Sequence, residues 1–126
     1  LDEGLLRLAV LFELDPQLHT IGPGSFVDDM IRIAGGANIA SDLGAYAQIS
    51  TEDLITRNPD VILMGDALYG ITAESVAARP GWDVISAVQK NAIYPIDPYI
   101  FSVPGPRLVD GLEETARLLH PDLFTK

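Results

Sequence analysis

The sequence predicts an α/β fold with a small, mostly parallel central sheet flanked by helices. Three observations predict it. Short apolar runs alternate with segments of helical period, the pattern of strands joined by helical crossovers. Capping residues, glycines and prolines punctuate the boundaries between them. The 126 residues are 48% hydrophobic, which suffices for the core of one domain and is too apolar for a disordered chain.

Residues 5–14, LLRLAVLFEL, form the richest apolar patch and read as a buried strand interrupted by Arg7 and Glu13. Residues 25–34 read as a helix, with Ser25 as its cap and Gly35-Gly36 as its stop. The preceding Gly22-Pro23-Gly24 superficially resembles a dinucleotide fingerprint. It lacks the third glycine, however, and a tight turn delivering Ser25 is the better reading. Asn38–Ala40 is a short candidate for additional pairing.

The stretch QISTEDLITRNPDVILM (48–64) states its structure most clearly. Ser50 caps a helix over 50–58, and Ile49 and Leu54 occupy the two positions of a hydrophobic staple. Asp53 stands where a capping box usually has Glu or Gln, which leaves the box in weakened form. Pro59 biases Asn58 out of the helical region, and 61–64 is a strand. Residues 72–79 read as a helix with Thr72 as cap, Ile71 and Val76 as staple and Pro80 as stop. A short helix over 82–88 and a strand over 92–96 follow. Residues 106–119 read as a helix with Pro106 in its first turn and an apolar stripe at Leu108, Val109, Leu112, Ala116 and Leu119. Three strands make a thin sheet, and the chain opens almost directly on one. Both facts predict one lobe of a larger protein, its sheet and ligand site completed elsewhere.

Composition narrows the chemistry. The net charge is −10, from 18 acidic and 8 basic residues. The basic residues are scattered, so no stripe exists to track phosphates and nucleic-acid binding is not expected. With no cysteine, disulfides, thiolate metal sites and thiol catalysis are excluded. No nucleophile elbow, Walker loop or HExxH motif is present, and the two histidines, His19 and His120, lie far apart. No apolar run approaches the roughly 18 residues of a membrane span, and no signal peptide opens the chain. No catalysis, resident metal or cofactor is expected.

Ligands of parallel α/β sheets bind beyond the carboxyl ends of the strands. The loops there are 13–24, 65–71 and 97–105, and the last two carry Tyr69, Tyr99 and Phe101 beside Asp66 and Asp97. Aromatic faces with a few polar groups suit a bulky, partly apolar ligand. The alternative is that they only cover strand ends. Glu52, at the second helical position after Ser50, has an ordinary reason to be acidic: the helix dipole favours it by a few tenths of a kcal/mol.

Four segments, GPGSFVDDMIRIAGGANI (22–39), QISTEDLITRNPDVILM (48–64), PGWDVISAVQKNAIYPID (80–97) and PGPRLVDGLEETARLLHPDLF (104–124), run in the order found in one family. Over this span the chain resembles the C-terminal lobe of class III substrate-binding proteins of ABC importers, the binding proteins for cobalamin, ferric siderophores and haem. The resemblance implies a Rossmann-like, three-layer lobe occupying 1–126, joined in the whole protein by a long helix to an N-terminal lobe that this chain lacks. It implies that a bulky ligand lies in the cleft between lobes and that any metal arrives with it. It places Tyr46, Asp97 and His19 at or near aromatic and acidic cleft contacts, with Asp66, Tyr69, Tyr99 and Phe101 on the same side. It gives Glu52 a role docking onto arginines of the membrane permease, a pairing that a rigidly held carboxylate suits. The segment YIFSVPGPR after Asp97 is longer than in the cobalamin-binding pattern, so the ligand stays open among the three. A periplasmic or extracellular protein, free or lipid-anchored and monomeric at full length, is implied. The rival reading is a lobe of a nitrogenase-type oxidoreductase. Such lobes lean on cysteines for their clusters, and this chain has none.

Overall fold

In the computed structural model, which describes residues 8–24, 26–33, 35–44 and 46–96, β1 (Leu8–Glu13) runs between two parallel partners. β3 (Gly36–Asn38) pairs on one side and β5 (Val61–Met64) on the other, and β6 (Ile93–Pro95) extends the sheet beyond β5, also in parallel. The order is β3-β1-β5-β6. The predicted helix over 106–119, the Ser25 cap and the residues Asp97, Tyr99 and Phe101 lie outside the described residues.

Successive side chains of a strand point to opposite faces, and the two faces bury different helices. Val10, Phe12, Val61 and Leu63 pack with Val27, Met30 and Ile31 of α1 (Phe26–Ile33). Leu11, Ile62, Met64 and Ile93 pack with Leu54 of α2 (Thr51–Arg57), Val76 of α3 (Ala73–Ala77) and Ala87 of α4 (Ser86–Gln89). β5, buried at every position, is the inner strand its unbroken apolar run predicts. The result is a mostly parallel sheet between two helical layers.

Among the described residues the sheet has four strands rather than the expected three. β3 escapes an apolar pattern because polar bonds hold its end: the Asn38 amide donates to the Ile21 carbonyl at 2.7 Å and to Asp28 at 3.0 Å, and its oxygen accepts from Ala40 N. A second correction concerns residues 13–24, read as a loop. They contain β2 (His19–Ile21), which pairs antiparallel with β4 (Tyr46–Gln48) in a separate ribbon. Each strand is three residues long and no turn signal joins them, so local periodicity could not reveal the pair. The expected helix over 82–88 is split: a 3₁₀ turn (Trp82–Val84) is followed by Ile85 in extended geometry, and α4 starts afresh at Ser86. Asn58, left-handed at φ 48°, reaches across to accept from Ser86 N at 2.8 Å.

The caps follow expectation more closely. Ser50 accepts from Asp53 N at 3.1 Å, and Thr72 forms a complete capping box with Ser75. The weakened box at α2 does not form, because the Asp53 carboxylate turns to Arg57 Nε at 3.1 Å instead. Gly65, just after β5, is required by packing. A Cβ there would lie 2.6 Å from the buried Phe12 ring.

Candidate functional site

The carboxyl ends of β1 and β5 carry the chemistry, and the local chain geometry explains how. After β1, Asp15 opens a tight turn in which its Oδ1 accepts from Gln17 N at 2.9 Å and from His19 N at 3.3 Å. Leu18 is forced to a positive φ of 68°, a costly conformation for a branched residue, and is held there by its own bond to the Asp15 carbonyl and by burial. The chain then enters β2 with His19 directed onto the ribbon. The second oxygen of Asp15 meets His19 Nδ1 at 2.8 Å. Partial burial pulls the Asp15 carboxyl upward, but the bonds from His19 and Gln17 together outweigh it and hold the group below the usual carboxylate range.

On the facing strand, Tyr46 is 65% exposed and stacks on His19 with ring centroids 5.4 Å apart and planes 10° from parallel. The register pairs Tyr46 with Ile21 and His19 with Gln48, so the two rings meet diagonally on one face of the ribbon. Two of the sequence-predicted ligand residues are thus brought together. Tyr69, 76% exposed, stands on a separate 3₁₀ turn (Ala67–Tyr69) after β5. Asp15 was missed, although its position before Pro16, four residues ahead of His19, is a turn signal that could have found it.

Asp66 departs from its expected place. It is 1% exposed and so cannot line an open surface; it lies beneath the turn that carries Tyr69. There it faces Glu13, the last residue of β1, itself 0% exposed and held by Arg79 through two bonds of 2.7 and 2.8 Å. The Arg79 guanidinium also sits 4.6 Å above the Trp82 ring. Burial, foremost, and then the neighbouring Glu13 carboxyl push Asp66 up to about 7.

A third feature surrounds Glu52. Arg57 donates to Asp53, to both oxygens of Asp42 and to the Ile39 carbonyl, tying α2 to the segment between β3 and β4. With Asp53 engaged, Glu52 is the exposed acid of the first turn with no side-chain partner among the described residues. Beside it an open groove of about 490 Å³ runs between the Asp15 turn, the end of β4 and the start of α2, lined by Pro16, Gln17, Gln48 and Ser50 among others. No cluster of three or more metal-ligating side chains occurs among the described residues.

Comparison with known proteins gives this geometry a context. The model of the periplasmic binding protein family matches residues 6–100. An uncharacterized ABC transporter substrate-binding lipoprotein, YvrC of Bacillus subtilis, is 36% identical over 110 residues, covering 87% of this chain and 34% of its own. A cobalamin-binding protein of Halobacterium salinarum is 28% identical over 108 residues, 81% of this chain and 29% of its own. Among solved structures, the periplasmic heme-binding protein BhuT in complex with two hemes superposes with a TM-score of 0.80 at 29% identity, covering 95% of this chain and 47% of that one. The chain thus spans about a third of the length of the curated relatives it matches. These relatives are described as transport or binding proteins, and nothing in them supports the oxidoreductase reading.

Proposed function

The chain belongs to the periplasmic binding protein family, and from that premise we propose that it forms the C-terminal lobe of an ABC-importer substrate-binding protein for a bulky metal-chelate ligand, a cobalamin, a haem or a ferric siderophore. The observation that carries the proposal is the His19–Tyr46 stack, an exposed aromatic pair braced by Asp15 at the carboxyl end of the sheet. A flat ligand laid there gains offset stacking on Tyr46 and keeps its polar rim toward solvent or a second lobe. Tyr69 flanks the same end of the sheet, and Asp97, Tyr99 and Phe101 extend the proposed lining. Glu52 is the proposed contact with the permease. The whole protein acts outside the cytoplasm as a monomer, without catalysis.

The test is a fluorescence titration of the longer protein that carries this segment with cobalamin, haem and a ferric siderophore. One of the three should saturate binding, and Tyr46→Ala should weaken that ligand by roughly tenfold, the equivalent of one aromatic contact. Saturation by none, or an unchanged affinity in the variant, removes the reading.

A further inference from the structure

The pair of acids under the Tyr69 turn is the feature that ligand binding does not absorb. Glu13 and Asp66 are 0% and 1% exposed, and among the described residues Arg79 is the cation that bears on both. That cation is committed: its two terminal nitrogens bond the two oxygens of Glu13, and its plane covers Trp82. Among the described residues, neither oxygen of Asp66 receives a donor from a neighbour. An ionised carboxylate buried without a donor is among the costliest arrangements a protein can hold. A protonated one, by contrast, can donate to the acceptor it faces, and that acceptor is Glu13.

We infer that Asp66 is a positioning residue that carries the shared proton of a Glu13–Asp66 pair and thereby locks the Tyr69-bearing turn onto the end of β1. The backbone completes the lock: Gly65 N donates to the Glu13 carbonyl at 2.9 Å, and Tyr69 N to the Asp66 carbonyl at 3.0 Å. Losing the proton leaves two like charges facing each other over one guanidinium, and the turn is then pushed off β1. Among the described residues, Glu13 on β1 and Arg79 after α3 are the charged groups that bear on Asp66.

The direction of the pH effect follows. Asp66 titrates near 3.9 in an unfolded chain and at about 7 when folded, so the folded state holds the extra proton between those values. Its contribution to stability is fully present below about 4 and is lost as pH rises towards 7. Within that window the folding equilibrium constant should fall by about tenfold per pH unit on account of this one proton.

The ligand reading is needed only for what Tyr69 touches; the lock itself stands on the buried pair, so the two can fail separately. The experiment is a carbon-13 NMR titration of the Asp66 carboxyl, together with amide exchange at Tyr69 and Gly70. A midpoint near 7, with exchange at these amides rising through the same pH beyond its base-catalysed rate, is the expected result. Asp66→Asn, which keeps a donor toward Glu13 and cannot titrate, should lose the pH-linked exchange. Stability profiles of Asp66→Asn and the parent should diverge between about pH 4 and 7. A midpoint near 4 overturns the inference, as do parallel profiles. If the variant does not fold, the titration of the parent decides alone.

Discussion

Arg79 does two jobs with one guanidinium, and removing it separates them. Its two bonds neutralise Glu13, while its plane rests on Trp82. Arg79→Met keeps much of the packing against the ring and deletes the charge. The variant leaves two carboxyls buried with no cation, a change expected to cost about 3–5 kcal/mol in urea denaturation at pH 7. The loss should shrink at pH 5, because Asp66 then carries its proton and one fewer buried charge is left without the cation. An equal loss at the two pH values would mean that the guanidinium acts mainly by packing. None of this trio was legible as a unit. Glu13 reads in the sequence only as an interruption of a strand, and 66 residues separate it from Arg79. Asp66 stands beside the aromatics, which suggested a ligand contact, whereas burial is set by the tertiary packing of β1, β5 and the turn.

At the scale of elements, α2 shows how a seven-residue helix can hold one side chain firmly in solvent. Isolated helices of this length do not persist in water, so the firmness comes from its ends and its one buried residue. Ser50→Ala removes the bond to Asp53 N and should cost about 1 kcal/mol. Leu54→Ala empties a site that is 0% exposed and should cost about 2–5 kcal/mol. Against these, Glu52→Ala should leave thermal stability within about 0.5 kcal/mol of the parent, as exposed positions do. It should nonetheless weaken capture of the proposed full-length protein by the proposed permease partner, measured with permease in detergent or nanodiscs. Unchanged capture would end the docking role proposed for Glu52. Elements with local grammar were legible: Ser50, Thr72, Pro59 and Pro80 mark their own boundaries, and β5 is recognisable from four apolar residues. The β2–β4 ribbon was not, because antiparallel pairing between His19–Ile21 and Tyr46–Gln48 depends on a register that only the folded lobe brings about. His19 and Tyr46 were therefore singled out separately, and their stacking is a finding of the structure.

For the molecule as a whole, the sheet buries both faces and leaves two exposed tyrosines near one end. Phe12 and Trp82 are in the core, whereas Tyr46 and Tyr69 are exposed by 65% and 76%. Exposed tyrosines gathered where an α/β sheet binds ligands suit a wall that is completed by another surface. Pockets for molecules of drug size bury most of the ligand's area, and a single wall covers only one side of a flat chelate. The 126-residue chain should therefore bind the ligand of the longer protein at least about a hundredfold more weakly, a loss of roughly 3 kcal/mol. The difference should lie mainly in faster dissociation, since access to an open wall is unhindered while retention depends on enclosure. Stopped-flow fluorescence on the two proteins, with the ligand that saturates the longer one, measures both rates. Equal affinities would place the whole site on this lobe and remove the need for a second wall. A hundredfold loss that Tyr46→Ala deepens further would locate this lobe's share of the contact on the His19–Tyr46 stack.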